Sequence, residues 1–335
     1  MCSYKSTSDV EDRVFWWVSL YFGILALCWY TCIVNEEFVK KIISLRGDVG
    51  KKWLKNLPEI IKQYEQKWDI VVSPPFNLSY NYVAPAKTSS GESVVLKISF
   101  PRNTEFISEI EALRFFNGNA AIKILREDLE NGVVLLERAE PGERLRNISP
   151  DSKQISIVSE VLKKLHKLIP KDMAFSFPTI SDWAKAFERY KEKFPKSSGP
   201  VPKWMFDKAE SIFKEYIKDK KEQVLLHGDL HSDNILSSQR GWLIIDPKGV
   251  IGEREFELGA YLRNPIYDYP KGSNYKKLES QRIIQFSQRL GFDKERILDW
   301  AFACGVISIL WFLEDEDEFK NIYVQNAELL NEIRF

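Results

Sequence analysis

Apolar and polar positions divide the chain into segments of different period. Phe38, Ile42 and Leu45, then Trp53, Leu57, Ile60, Ile61 and Tyr64, recur at helical spacing. That pattern predicts helix over 35–68, with Pro58 as a break or as the start of a second helix. Ser73-Pro74-Pro75 ends it. From 76 to 139 the pattern turns to strands. Residues 94–98 form a short apolar run behind the turn Ser89-Ser90-Gly91. Residues 120–125 and 133–136 form two more, the last preceded by Asn131-Gly132. Asn-Gly tolerates the backbone of a tight hairpin, so it is a good turn signal between apolar runs. Between the first two runs, Phe106, Ile110, Leu113 and Phe116 mark one helix over 105–116. This part is expected to be a small, mainly antiparallel sheet crossed by a helix.

Pro141-Gly142 punctuates the chain, and helices dominate beyond it. Ile155, Val158, Leu162, Leu165 and Leu168 form one stripe before Pro170. Further helices are expected at 181–194, 202–218, 274–290 and 293–313. A strand-turn-strand patch at about 223–246 interrupts them. The expected fold class is α+β: a small β lobe over 35–140, a larger helical lobe over 141–335, and a cleft between them.

Residues 15–34, FWWVSLYFGILALCWYTCIV, stand outside this scheme. They run for 20 residues without a charge. As a helix they would span roughly 30 Å, one hydrocarbon thickness. Trp16 and Trp17 at one end, with Trp29 and Tyr30 at the other, suit interfacial belts. Lys40, Lys41, Arg46, Lys51 and Lys52 follow, against Lys5 and Arg13 before, so a spanning helix would leave the rest of the chain in the cytoplasm. A buried helix, or an extension outside the native product, are the competing readings. A cleaved signal peptide fits less well, because Asp9, Glu11 and Asp12 stand where basic residues are needed.

Composition narrows the function. The chain has 335 residues, 44% hydrophobic and 29% charged, with Lys+Arg 48 balancing Asp+Glu 48. That balance excludes an all-over basic nucleic-acid binder and an acidic disordered chain. Four Cys with no Cys-x-x-Cys pair argue against a disulfide framework and against zinc. Cys304 reads as a core residue. No nucleic acid and no obligate protein partner is expected.

The chemistry concentrates in His227-Gly228-Asp229-Leu230-His231-Ser232-Asp233-Asn234 and, past a turn, Ile244-Ile245-Asp246-Pro247-Lys248-Gly249. Asp229 and Asn234 have the D-x-x-x-x-N spacing of a kinase catalytic loop. A hairpin between them and Asp246 would bring Asp246 back to face Asn234. Mg²⁺ prefers oxygen ligands, and Asn234 with Asp246 supplies two. Asp229, off the metal, can accept or orient a hydroxyl proton.

These strings resemble the aminoglycoside phosphotransferases, relatives of the protein kinases. Leu78-Ser79-Tyr80-Asn81-Tyr82-Val83, Val95-Leu96-Lys97-Ile98, Leu135-Leu136-Glu137-Arg138-Ala139-Glu140-Pro141-Gly142, the stretch from Gly252 to Pro265, and Trp311-Phe312-Leu313-Glu314-Asp315 resemble the streptomycin 6-phosphotransferase and hydroxyurea phosphotransferase branch. The likeness runs over about 35–325. It implies a bilobal protein-kinase-like fold, ATP and Mg²⁺ as cofactors, and a small hydroxyl acceptor such as an aminoglycoside. It implies Asp229 as the catalytic aspartate and Asn234 and Asp246 as metal ligands. Lys97 would neutralise the ATP phosphates and pair with Glu109, with Glu105 as the competing choice. The connector at Glu137 and Ala139 would bind adenine through its backbone. Ser79 and Asn81 lie in a phosphate-covering loop, 77–83, which departs from the kinases in having no glycine.

His227 reads as a structural residue of the loop, and His166 as packing or capping. The acidic run after Trp311-Phe312 reads as a solvated helix end or, through Glu314 and Asp315, as a site for cationic acceptor groups. Arg263 is a third candidate for the acceptor site, where it would contact the phosphate side, or it would brace the loop. A kinase of another small metabolite and a non-catalytic nucleotide-binding module are the alternatives. A protein kinase is disfavoured, because no glycine-rich loop and no A-P-E string is present.

Overall fold

The computed structural model describes residues 34–170, 177–195, 199–219, 221–263, 273–315 and 321–335. The apolar run 15–34 therefore lies, apart from Val34, outside the described residues. Helix α1 spans Glu36–Trp68. The Asn35 side chain accepts from the Phe38 N–H at 2.8 Å and so caps its first turn. The break expected at Pro58 falls instead at Gly47, whose backbone sits at φ 55°, ψ −132°. Glycine reaches that region without a Cβ penalty. Pro58 is passed without a break because Trp53, Leu54, Leu57, Ile61 and Tyr64 are buried on both sides of it. Their packing outweighs the one lost backbone bond.

Five strands make the first sheet: β1 (Ile70–Val72), β2 (Tyr82–Thr88), β3 (Ser93–Ile98), β4 (Ile124–Asp128) and β5 (Val133–Glu137), in the order β1-β2-β3-β5-β4. The pairs β1–β2, β2–β3 and β3–β5 are antiparallel, with Leu96 opposite Ala84 and Leu135. Those three side chains and their neighbours two residues along face α1. Together with Phe38, Ile42, Trp53, Leu57 and Tyr64 they form one apolar core. Each fully buried large side chain there stabilises the fold by about 1.5–3 kcal/mol. Strand β2 was hidden in the sequence by two alanines and Pro85, which are poor strand formers. Its alternation becomes meaningful only under α1, where Tyr82, Ala84 and Ala86 are buried. In the expected strand 120–125 only the last two residues belong to β4. Ala120 and Ile122 instead bond to Ile244, at 2.8 and 3.2 Å.

Residues up to Asn103 and Leu125–Arg138 form one compact unit; Thr104–Ile124 and Ala139–Phe335 form the other. Helix α2, Thr104–Phe116, belongs to the second. That unit is mainly helical: α3 (Asp151–Leu165), α4 (Ile180–Trp183), α5 (Lys185–Lys193), α6 (Lys203–Lys218), α7 (Glu257–Arg263), α8 (Ser273–Leu290), α9 (Lys294–Asp315) and α10 (Asn321–Asn331). Two small sheets interrupt the helices. One comprises β6 (Pro141–Arg144), β8 (Ile235–Ser238) and β9 (Gly241–Ile244). The other pairs β7 (Gln223–Leu226) antiparallel with β10 (Val250–Glu253). The patch expected as one strand-turn-strand is thus the hairpin β8–β9 preceded by a strand that pairs elsewhere.

Helix α9 is long and apolar enough to cross a membrane by composition, yet 67% of its apolar window is buried inside the protein. It contacts α5, α6, α7, α8 and α10, which accounts for its apolarity on all sides. Cys304 lies buried on it, and burial pushes its thiol up to about 12. The fold class is α+β, with an antiparallel sheet unit and a larger helical unit.

Candidate active site

The segment between β7 and β8 is held almost entirely through its backbone. Gly228 sits at φ +83°, and a Cβ there would press on Trp183, Val250 and Lys248. Only glycine meets both demands. The His227 and Gly228 N–H groups donate to the two carboxylate oxygens of Glu257, at 2.6 and 2.9 Å. Glu257 opens α7 and is 1% exposed. The His227 ring donates from Nε2 to the Ile245 carbonyl at 2.8 Å, while its Nδ1 accepts from the Asp229 N–H at 3.2 Å. The Lys248 N–H donates to the His227 carbonyl at 2.7 Å. His227 is therefore a brace, as its place in the sequence suggested.

Asp229 follows this anchored turn. Asn234 Nδ2 donates to the Asp229 backbone carbonyl at 3.0 Å. The amide is thereby oriented with its nitrogen turned inward. The Ile245 N–H donates to the Asn234 carbonyl at 3.0 Å, and Ile235 pairs with Ile244. The hairpin thus returns Asp246 to the residue next to Asn234's own partner. Asp246 holds φ 55°, an uncommon conformation for a side-chain-bearing residue. Strain of this kind concentrates at functional sites.

One cation and one imidazole flank the Asp229 carboxylate. Arg263 Nη2 donates to Oδ1 at 3.2 Å, and His231 Nε2 lies 4.0 Å from Oδ2. Burial by itself would raise the Asp229 carboxyl, but Arg263, then His231, His227 and Lys248, outweigh it and hold it below the usual range. For His231, burial is the leading effect and moves its ring below the usual value despite Asp229.

Asn234 Oδ1 and the Asp246 carboxylate are hard oxygen donors that fit Mg²⁺, which takes one or two protein ligands alongside phosphates and water. Among the described residues no group of three His, Cys, Asp or Glu side chains gathers as a metal site. A cation held by one amide and one carboxylate needs none.

The other expected site residues fall as follows. Lys97 is 3% exposed on β3, between Val83 and Val134 of the neighbouring strands. Glu109 is buried on α2, whereas Glu105 is exposed and lies 3.5 Å from Lys248 Nζ. Ser79 and Asn81 sit in the loop joining β1 to β2. Lys41 stacks over Tyr80 of that loop at 3.8 Å, and Asn81 Oδ1 is buried without a hydrogen-bond partner. Glu137 ends β5 opposite Val94, and Ala139 is buried just beyond. Glu314 is gripped by Arg189 through both oxygens, at 3.0 and 3.1 Å. The Asp315 side chain lies outside the described residues.

Sequence reasoning passed over Glu257. It stands among Glu253, Glu255 and Lys248 in a charge-rich stretch, and nothing local marks it as buried. His166 Nε2 lies 3.6 Å from the same carboxylate, both side chains being almost fully enclosed.

An antiparallel sheet unit and a larger helical unit in one α+β chain are the architecture of the protein-kinase-like small-molecule phosphotransferases. The chain belongs to the aminoglycoside/hydroxyurea antibiotic resistance kinases, whose family model matches residues 72–316. It is 24% identical over 286 residues to a streptomycin 6-kinase from Streptomyces glaucescens, covering 84% of this chain and 91% of that one. Choline kinase LicA from Streptococcus pneumoniae shares the fold with TM-score 0.58 at 17% identity, over 83% of this chain and 100% of that chain. So does the amicoumacin kinase hAmiN, solved with AMP-PNP, Ca²⁺ and Ami, with TM-score 0.56 at 14% identity, over 82% and 92%.

Proposed function

We propose that the chain transfers the γ-phosphate of ATP, in a Mg²⁺-dependent reaction, to a hydroxyl of a small polar acceptor, with streptomycin or a related aminoglycoside as the leading acceptor. The observation that carries this reading is the shared turn. The 3.0 Å bond from Asn234 Nδ2 to the Asp229 carbonyl makes the two residues one rigid piece. In this reading Asp229 accepts a hydrogen bond from the acceptor hydroxyl, aims its oxygen and takes its proton as transfer proceeds. Asn234 and Asp246 would hold Mg²⁺, which supplies charge neutralisation when bound. Lys97 would supply fixed positive charge for the α- and β-phosphates. Backbone groups around Ser79 and Asn81 would cover the phosphates, and those of Glu137 and Ala139 would take the adenine. Glu109, rather than Glu105, is the better candidate for the family's helix carboxylate, because Lys248 already engages Glu105. Positioning and neutralisation do the work, since phosphoryl transfer needs little covalent help.

The streptomycin 6-kinase relative supports the acceptor, and the nucleotide analogue and divalent cation named for the amicoumacin kinase support the cofactors. A second reading has one observation behind it. Glu314 spends both carboxylate oxygens on Arg189, so a guanidinium-bearing acceptor would have to displace that arginine. A hydroxyl acceptor without such groups needs no displacement. A panel of aminoglycosides, hydroxyurea, amino alcohols and sugars, scored by ATP consumption, separates the two. Asp229→Ala should lower turnover by about 10²–10⁴-fold and leave nucleotide binding intact. Undiminished turnover would defeat the assignment. The run 15–34 carries over as a proposed anchor that leaves the catalytic residues in the cytoplasm. Fractionation of the full chain beside one starting at Asn35 tests it.

A further inference from the structure

If Asp229 receives the acceptor hydroxyl, something must hold its side chain in one rotamer. The backbone restraints do not. Glu257, His227 and Asn234 all act on main-chain atoms of the loop, at His227 N, Gly228 N, Asp229 N and Asp229 O. They leave the Asp229 carboxylate free to turn about its own bonds. The carboxylate is 30% exposed, so part of it stays open to an acceptor. The one hydrogen bond made to its oxygens by a described residue comes from Arg263, Nη2 to Oδ1 at 3.2 Å. The second oxygen, Oδ2, has His231 at 4.0 Å, beyond hydrogen-bond reach. The two oxygens are therefore not equivalent.

The origin of Arg263 matters. It is the last residue of α7, and Glu257 is the first. This seven-residue helix spans about 10 Å. One end of it pins the loop's backbone, and the other end meets the loop's reactive side chain. Leu258 and Leu262, fully buried between them, fix the helix in the core. A rigid element thus carries both restraints in one piece. Arginine suits the task, because its planar fork gives direction as well as charge.

We propose that Arg263 is the positioning residue of this site: it clamps Asp229 through Oδ1, so that Oδ2, on the His231 side, is the oxygen offered to the acceptor hydroxyl. This assigns Arg263 to the aspartate instead of to the acceptor. It rests on the reading of Asp229 under Proposed function, and the experiment keeps the two apart.

The test uses the full chain with Mg²⁺, ATP and streptomycin, and follows ATP hydrolysis by water in parallel. Arg263→Ala should lower kcat by about a hundredfold, the loss expected when a catalytic group drifts by about 1 Å. The KM for streptomycin should stay within about twofold, and ATP hydrolysis should fall in proportion. Arg263→Lys should recover part of the rate, and added methylguanidine should recover part of it in Arg263→Ala. Combining Arg263→Ala with Asp229→Asn should add nothing to the loss caused by Asp229→Asn alone. A rise in the KM for streptomycin with kcat and ATP hydrolysis unchanged would make Arg263 an acceptor ligand and overturn the proposal. So would an unchanged kcat, or full additivity in the double variant. Where Arg263→Ala fails to melt cooperatively, Arg263→Lys with an intact melt carries the same comparison. Full turnover in Asp229→Asn by itself would overturn the functional reading; a dead Asp229→Asn beside a fully active Arg263→Ala overturns only this inference.

Discussion

The sheet unit and the helical unit bury charge in opposite ways. Among the described residues of the sheet unit, Lys97 is the only buried charged side chain, set in a sheet otherwise packed with Ala, Val, Leu and Ile. The helical unit buries Glu109, Glu253, Glu255, Glu257, Glu279, Arg282 and Arg296. Glu253 meets Arg296 through both oxygens, at 2.6 and 2.5 Å, and accepts from the Trp300 indole. Burial opposes the charge on Arg296, but Glu253 and Asp219 outweigh it and raise its affinity for the proton. The difference follows from what each unit must hold. A sheet satisfies its own backbone and needs only apolar cover. A loop that presents reactive groups has no ladder, so buried side chains must supply its acceptors.

The largest effect should come from breaking the deepest pair. Glu253→Ala leaves the Arg296 guanidinium with Asp219 alone and the buried Trp300 indole without its acceptor, and should cost about 3–5 kcal/mol, read from denaturant midpoints. A loss below about 1 kcal/mol would show the pair to be dispensable. Glu257→Ala removes the acceptor of two loop N–H groups and should cost about 2–4 kcal/mol. It differs from the first in its effect on turnover, which should fall even after correction for the folded fraction, because the loop carrying Asp229 is freed. Equal specific activity in the two variants would erase the distinction between bracing the loop and bracing the core.

Lys97→Met sharpens the contrast from the other side. It keeps the length of the side chain and removes its charge, so ATP-dependent turnover should drop sharply in the fraction that remains folded. Unchanged turnover would make Lys97 dispensable to the nucleotide. The last effect is one of pH. Burial pushes the Glu279 carboxyl from 4.5 to about 8, against the pull of Arg282. Between these values the folded chain keeps a proton that the unfolded chain has released, so stability should decline as pH rises through that window. Glu279→Gln should flatten that stretch of the stability-versus-pH curve. An unchanged slope would place the titration elsewhere.

Local pattern accounts for much of what was legible beforehand. The helical stripe of α1, the run of β3, the hairpin β8–β9 and the HGD string all carry their signal within a few residues. Periodicity and turn chemistry report such features directly. Two readings failed for one shared reason. The strand hidden in Tyr82–Thr88 and the pairing of β7 with β10 were each decided by a partner distant in sequence.

By itself, the chain's order of residues determined the helix and turn positions, the family resemblance and the set of groups able to do the chemistry, because these depend on spacing along the backbone. Only the tertiary structure decided which carboxylates are buried and what they hold. Glu257 and Glu105 are the same side chain in the sequence. One lies under the loop with two N–H groups aimed at it, and the other lies in water beside Lys248. That outcome depends on desolvation and on donors far away in the chain, and neither is written in local spacing.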